Sequence, residues 1–251
     1  MFNGHKYIGD CIDSVSGCIS KSDQIEHIVV DDGSTDQTWE KIQKKSGTNL
    51  YPFKLEKNMG AAYARNFAVS KTDAELLFCL DADDVIFQNT LEQMSSFLQK
   101  NNHDWVYCDF LRVDEKLRYI TGQDYYGFEF SSREQLLTSM FCGEHFFQQN
   151  CLYKRSLFEK LGGFDESRKD FEDFELFTRF LLAGFMPYYS SGPGYLHRLH
   201  DENMSVKNRR YLEPELHKKD VKDLYLILES QINSVLNSKQ IQQIKNWLEI
   251  S

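Results

Sequence analysis

Apolar positions fall in short bursts along this chain, and most bursts end at a turn or a cap. Ile25–Val30 (IEHIVV) is apolar and β-branched and stops at Asp31-Asp32-Gly33, the pattern of a buried strand running into a turn. Ser34 and Gln37 have the spacing of a capping box, which predicts a helix from there to about Ser46. Tyr51–Glu56 reads as a second strand. Asn58–Ser70 reads as a helix in which Ala61, Ala62, Ala64, Phe67 and Ala68 supply propensity and an apolar face. Ala74–Leu80 is the most apolar strand and stops at Asp81-Ala82-Asp83-Asp84. Asn89 is placed to cap a helix to about Lys100, with Glu92 at its third position, and Asp104–Val113 is another strand. This alternation predicts an α/β fold with a mostly parallel, Rossmann-like sheet flanked by helices.

The second half is less regular. Ser131–Phe141 and Lys154–Leu161 read as helices, Gly162-Gly163-Phe164-Asp165 as a turn, and Asp170–Ala183 as an amphipathic helix. Met186–Ser191 and Tyr195–Leu199 read as strands. From Glu213 to Ile250 the pattern is helical, with Val221, Leu224, Tyr225, Leu228, Ile232, Val235 and Leu236 on one face. That face packs on the domain or on a partner; membrane-surface contact is the alternative. The expected organisation is a domain over 1–205 and a helical C-terminal extension over 206–251.

Composition narrows the choice. The 251 residues carry a net charge of −9, a poor match for nucleic acid, which needs a broad basic surface. The longest uncharged run, Phe180 to Leu196, is broken by Gly184, Pro187, Gly192, Pro193 and Gly194, so no segment reads as a membrane span. Met1–Asp10 lacks the apolar stretch of a signal peptide. The six cysteines contain no CxxC pair and read as reduced, mostly buried thiols of a cytoplasmic protein, with a scattered zinc site as the alternative.

Candidate chemistry sits where strands end, because ligands of open parallel sheets bind beyond the carboxyl ends. Asp31-Asp32 and Asp81, Asp83 and Asp84 crowd that edge, and such carboxylates repel unless a cation or donors offset them. The reading is a magnesium or manganese site holding a phosphorylated ligand. Each cluster has a plainer reading: a turn with a helix cap for the first, a solvated turn for the second. A calcium loop of the EF-hand type is excluded because Ile86 stands where that loop needs glycine. Glu172-Asp173 open a helix, where Asp170 as cap and Asp173 near the dipole are explanation enough; the functional reading is a general base. His197 and His200 become metal ligands if the fold brings them to the acidic cluster.

These pieces, in order, resemble family 2 glycosyltransferases, which have the GT-A fold. The matching residues are Val29–Asp36, Asn58-Met59-Gly60, Ala64-Arg65-Asn66, Leu80–Asp84, Leu161–Glu166, Glu172-Asp173, Arg198-Leu199-His200 and Met204-Ser205. The resemblance implies an inverting transferase that uses a nucleotide-diphospho-sugar, most often a UDP-sugar, with Mn2+ or Mg2+ as cofactor. It implies that Asp32 bonds the base, Arg65 helps hold the nucleotide, Asp81 contacts the ribose or sugar, and Asp83 and His200 meet the metal. Asp173, with Glu172 beside it, is the implied base. Gly162, Gly163, Phe164 and Asp165 are implied to line the donor and acceptor side. The acceptor is a saccharide or a lipid-linked one in cell-surface polysaccharide or glycolipid synthesis. A lipid-linked acceptor places the enzyme at the inner face of the membrane, and peripheral membrane association and homo-oligomers stay open. Family members begin with an apolar strand, of whose end only Phe2-Asn3-Gly4 is matched here, so the first strand is expected to be absent. Two rivals remain: a haloacid-dehalogenase-type phosphatase with Asp81 as nucleophile and Asp83 as acid/base, and a degenerate relative that binds sugar nucleotides without turnover.

Overall fold

Ile8, Cys11, Ile12, Val15, Cys18 and Ile19 fall on one helical face, and that face is buried in the first element of the computed structural model, α1 (Ile8–Ile19). The structure describes residues 1–19, 24–45, 47, 49–122, 129–144, 151–203 and 214–250. After α1 come β1 (His27–Asp31), α2 (Thr38–Gln43), β2 (Leu50–Lys54), α3 (Ala61–Val69), β3 (Leu76–Phe78) and β4 (Val85–Ile86). Next are α4 (Thr90–Asn101), β5 (Trp105–Val113), α5 (Arg133–Phe141), β6 (Leu152–Lys154), α6 (Arg155–Lys160), α7 (Glu172–Leu182) and β7 (Tyr188–Arg198). Two helices close the chain, α8 (Pro214–Val235) and α9 (Ser238–Leu248). The sequence pattern places most of these within a few residues; α1 and the short strands β4 and β6 have no counterpart in it.

Among the described residues the strands form two sheets, β1-β2 and β3-β6-β5-β7-β4. The long pairings, β1–β2 and β5–β7, are parallel, as expected. The short ones, β3–β6, β5–β6 and β4–β7, are antiparallel, which side-chain periodicity does not encode. Met1 lies beside β1: its nitrogen donates to the Val30 carbonyl at 2.8 Å and its carbonyl accepts from the Asp32 N–H at 2.6 Å. The two strands expected over Met186–Leu199 are one strand, β7, whose register against β5 slips around Asp109. There the buried Asp109 carboxylate accepts from the Gly192 N–H at 2.8 Å and from the Tyr189 hydroxyl, so the irregularity is satisfied rather than strained.

The core joins the sheet to the C-terminal helices. Trp105 of β5 is fully buried and stacks on Phe177 of α7 with ring centroids 5.2 Å apart. Val221, Leu224, Tyr225, Ile232 and Leu236 of the C-terminal segment pack into the same cluster as Trp105 and Phe177, so the apolar face of that segment covers the domain itself. Among the described residues no helix is long and apolar enough to cross a membrane.

Three expected caps differ. Ser34 does not cap α2; Gln37 stands at its N-cap without a capping side-chain bond, and Asp36 just before it accepts from the Thr38 N–H at 2.9 Å. Asn89 makes no capping side-chain bond to α4. Phe171, not Asp170, stands at the N-cap of α7, in a left-handed conformation with φ 62°. The boundary at 205/206, Met204-Ser205 and the ends expected at Ser46 and Glu213 lie outside the described residues. All six cysteines are free thiols and five of them are buried.

Candidate functional site

Asp32, Arg65, Asp81, Asp83, Glu172, Asp173, His197 and His200 line one cavity of about 1730 Å³. They come from the end of β1, from α3, from the β3–β4 turn, from the start of α7 and from the end of β7. The fold thus gathers residues that lie far apart in sequence, from Asp32 to His200. Glu166–Asp173, which follow the Gly162–Asp165 turn, also line the cavity, and Phe164 of that turn meets Arg65 of its wall.

The β1 end is built from backbone. Asp31 is fully buried and its Oδ1 accepts from the Ser34 N–H at 3.0 Å. The Asp32 carboxylate accepts from the Met59 N–H at 2.7 Å and the Gly60 N–H at 2.9 Å, which fixes the loop that enters α3. Gly33 between them has φ 70°, and a Cβ there would lie 2.4 Å from the Lys57 carbonyl carbon. Gly33→Ala is expected to destabilise the protein by about 1–3 kcal/mol or more, read as a lower unfolding temperature.

The β3–β4 turn carries the acidic cluster. Asp83 Oδ2 lies 2.9 Å from His200 Nε2 and accepts from Asn203 Nδ2 at 3.0 Å. Burial works against the Asp83 carboxylate, but the His200 hydrogen bond and charge hold its pKa below the ordinary value. Asp84 is buried and accepts from the Arg198 N–H at 3.0 Å, with His197 Nδ1 3.5 Å away. Burial lowers the His197 pKa, yet the Asp84 charge and hydrogen bond raise it further, for a net upward shift. Arg198 is 2% exposed and ties the turn down. Its Nε donates to the Asp83 carbonyl at 2.8 Å, its Nη1 to the Glu115 carbonyl at 2.9 Å and its Nη2 to Asp10 at 2.9 Å.

Facing this turn is the start of α7. Arg65 donates through Nη2 to Asp81 Oδ1 at 2.8 Å and through Nη1 to Glu172 Oε1. Its guanidinium lies 5.5 Å from the centre of the Phe164 ring. Asp173 has no such partner among the described residues; its Oδ1 accepts from the Phe174 N–H at 2.7 Å. Burial and then the Glu172 charge push its pKa up to about 7, with Arg65 pulling the other way. Burial also raises Asp81, to about 6, although Arg65 opposes it.

The Gly162–Asp165 turn braces this arrangement from behind. Asn66 Nδ2 donates to the Phe164 carbonyl at 2.9 Å, and its Oδ1 accepts from the Phe164 N–H at 3.0 Å. Arg179 Nη2 donates to the Gly163 carbonyl at 2.6 Å. Gly163 has φ 71°, and a Cβ there would meet Asn66 Oδ1 at 2.9 Å. Asn203 and Arg179 are contributors that residue-by-residue reading passed over. A buried residue whose job is to bond backbone carbonyls carries no motif of its own.

Asp83 and His200 supply a carboxylate oxygen and an imidazole nitrogen, donors that suit manganese or magnesium when phosphate oxygens complete the set. Among the described residues no three His, Cys, Asp or Glu side chains are grouped to hold a metal without such help.

An α/β sheet with a carboxylate-lined cavity at its strand ends is shared by several classes of enzyme, and the comparisons give the family. The model of glycosyl transferase family 2 matches residues 1–162, and the chain belongs to that family. An uncharacterized glycosyltransferase of Rickettsia typhi is 32% identical over 208 residues, covering 80% of this chain and 62% of that protein. The minor teichoic acid biosynthesis protein GgaA of Bacillus subtilis is 28% identical over 242 residues, covering 91% of this chain and 52% of that protein. The chain thus spans less than two thirds of the length of these relatives. The crystal structure of S. aureus TarS 1-349 in complex with UDP-GlcNAc superposes over 99% of this chain and 69% of that one, with a TM-score of 0.70 and 23% identity. The fold is therefore GT-A. Membership in this family removes the basis for the phosphatase rival, whose motif covered only Leu76–Val85.

Proposed function

We propose that this chain moves a sugar from a UDP-sugar to an acceptor hydroxyl, with inversion at the anomeric carbon. The observation that carries the reading is the meeting, on one cavity, of the Asp83–His200 pair and the poised Asp173 carboxyl. The UDP-GlcNAc bound to TarS and the teichoic acid role of GgaA support a UDP-sugar donor and a cell-surface polymer or glycolipid acceptor.

In this reading Asp32, whose oxygens keep lone pairs beyond their two backbone bonds, accepts from the base, and Asp81 faces the ribose or sugar. Asp83 and His200 would hold manganese or magnesium, which when bound would supply positive charge beside the departing diphosphate. Asp173 takes the proton from the acceptor hydroxyl as its oxygen bonds the anomeric carbon. The bond from that carbon to the diphosphate breaks on the opposite face, and UDP leaves. A base must be deprotonated to act. With its pKa near 7, Asp173 is mostly neutral below that pH. Turnover is therefore expected to climb about tenfold per pH unit below 7 and to level off above it.

The metal assignment is tested by binding. Asp83→Ala is expected to abolish the manganese-dependent part of UDP affinity in calorimetry. Unchanged manganese-dependent affinity would remove Asp83 from the site.

A further inference from the structure

Arg65 is more heavily committed than a residue waiting for a nucleotide. It is held between Asp81, on the β3–β4 turn, and Glu172, on the first turn of α7. Both carboxylates sit at the cavity wall, and Arg65 bonds both at once. Glu172 itself is 7% exposed. The next residue is Asp173, so whatever fixes Glu172 fixes the backbone that presents Asp173. The turn that delivers this pair is strained: Phe171 holds a left-handed conformation that a bulky residue rarely adopts, and stacks on Phe174 with ring centroids 5.0 Å apart. Strain of this kind persists only where surrounding contacts over-determine it.

We propose that Arg65 and Glu172 form a positioning bridge: by bonding Glu172 and Asp81 at once, Arg65 ties the start of α7, and with it the backbone that presents Asp173, to the donor-side turn. This rests on the reading of Asp173 as the base. Arg65 is then not chiefly a ligand for the diphosphate. The charged or titratable groups around Asp173 are Glu172 on its own helix, Arg65 from α3, Asp81 from the β3–β4 turn and the buried Cys151 thiol before β6. His217 of α8 lies edge-on to Phe171. Burial is the largest influence on the Asp173 carboxyl. After it, Glu172 and Arg65 act with opposite sign: the first favours the protonated acid, the second the carboxylate.

Opposite signs make the bridge testable without knowing the acceptor. The Asp173 carboxyl can be titrated by NMR in protein carrying carboxyl-13C aspartate, with Asp173→Asn identifying its signal. Native protein is expected to show a midpoint near 7. Glu172→Gln, which keeps shape and removes charge, is expected to lower it by about one pH unit, a tenfold fall in proton affinity. Arg65→Gln is expected to raise it. If Arg65→Gln does not fold, Glu172→Gln decides alone. An unmoved midpoint in Glu172→Gln overturns the bridge, as does a native midpoint in the ordinary aspartate range. Failure of the base assignment looks different: Asp173→Asn would retain turnover whatever the titrations show.

Discussion

Asp173→Asn is expected to cut turnover by roughly 10²–10⁴-fold and to leave UDP affinity in manganese unchanged. The substitution keeps the shape and removes the group that takes the proton. Asp173 lies at the cavity wall, across from the Asp83–His200 pair rather than within it, so the donor site should not register the change. The same substitution should raise the unfolding temperature at pH 8. A carboxyl whose pKa is raised on folding contributes stability at low pH, and that contribution is lost as pH climbs from its unfolded value to about 7. Asparagine carries no such loss, so the gain should vanish at pH 3. A more stable, inactive variant is the signature of a site that trades stability for chemistry. Retained turnover would assign the base elsewhere.

Arg198→Met is expected to produce the largest loss of stability. The guanidinium is almost wholly buried and satisfies the carbonyls of Asp83 and Glu115 from the centre of the fold. Its removal leaves both acceptors without it, at roughly 1–3 kcal/mol each, and the unfolding temperature should fall by on the order of 10 °C. The Asp83 carbonyl belongs to the metal-side turn, so manganese-dependent UDP binding should weaken in the fraction that remains folded. A variant with native unfolding temperature would show that this arginine is dispensable to the turn.

Much of this site was legible because its chemistry is local. Asp31-Asp32-Gly33, Asp81–Asp84 and Glu172-Asp173 are acidic clusters placed where strands end or helices begin, and burial, repulsion and dipoles act on neighbours in sequence. The alternation of elements gave the layers for the same reason. What escaped was relational. The pairing of Arg65 with Glu172 spans 107 residues, and nothing local to either announces it. The left-handed Phe171 contradicts residue preference and exists because Phe174 and His217 hold it. The role of the Gly162–Asp165 turn was implied by the resemblance alone; that Gly163 packs against Asn66 and Phe158 is a contact between distant segments, which no local pattern encodes. Helix α1 has helical spacing at Ile8, Cys11, Ile12 and Val15, an apolar stripe with no chemical motif attached to it.

The most direct test of the account is calorimetric titration of the 251-residue chain with UDP, with and without manganese. Binding is expected to require the metal and to disappear in Asp83→Ala. A folded protein that binds UDP equally well without manganese, or not at all, would contradict it.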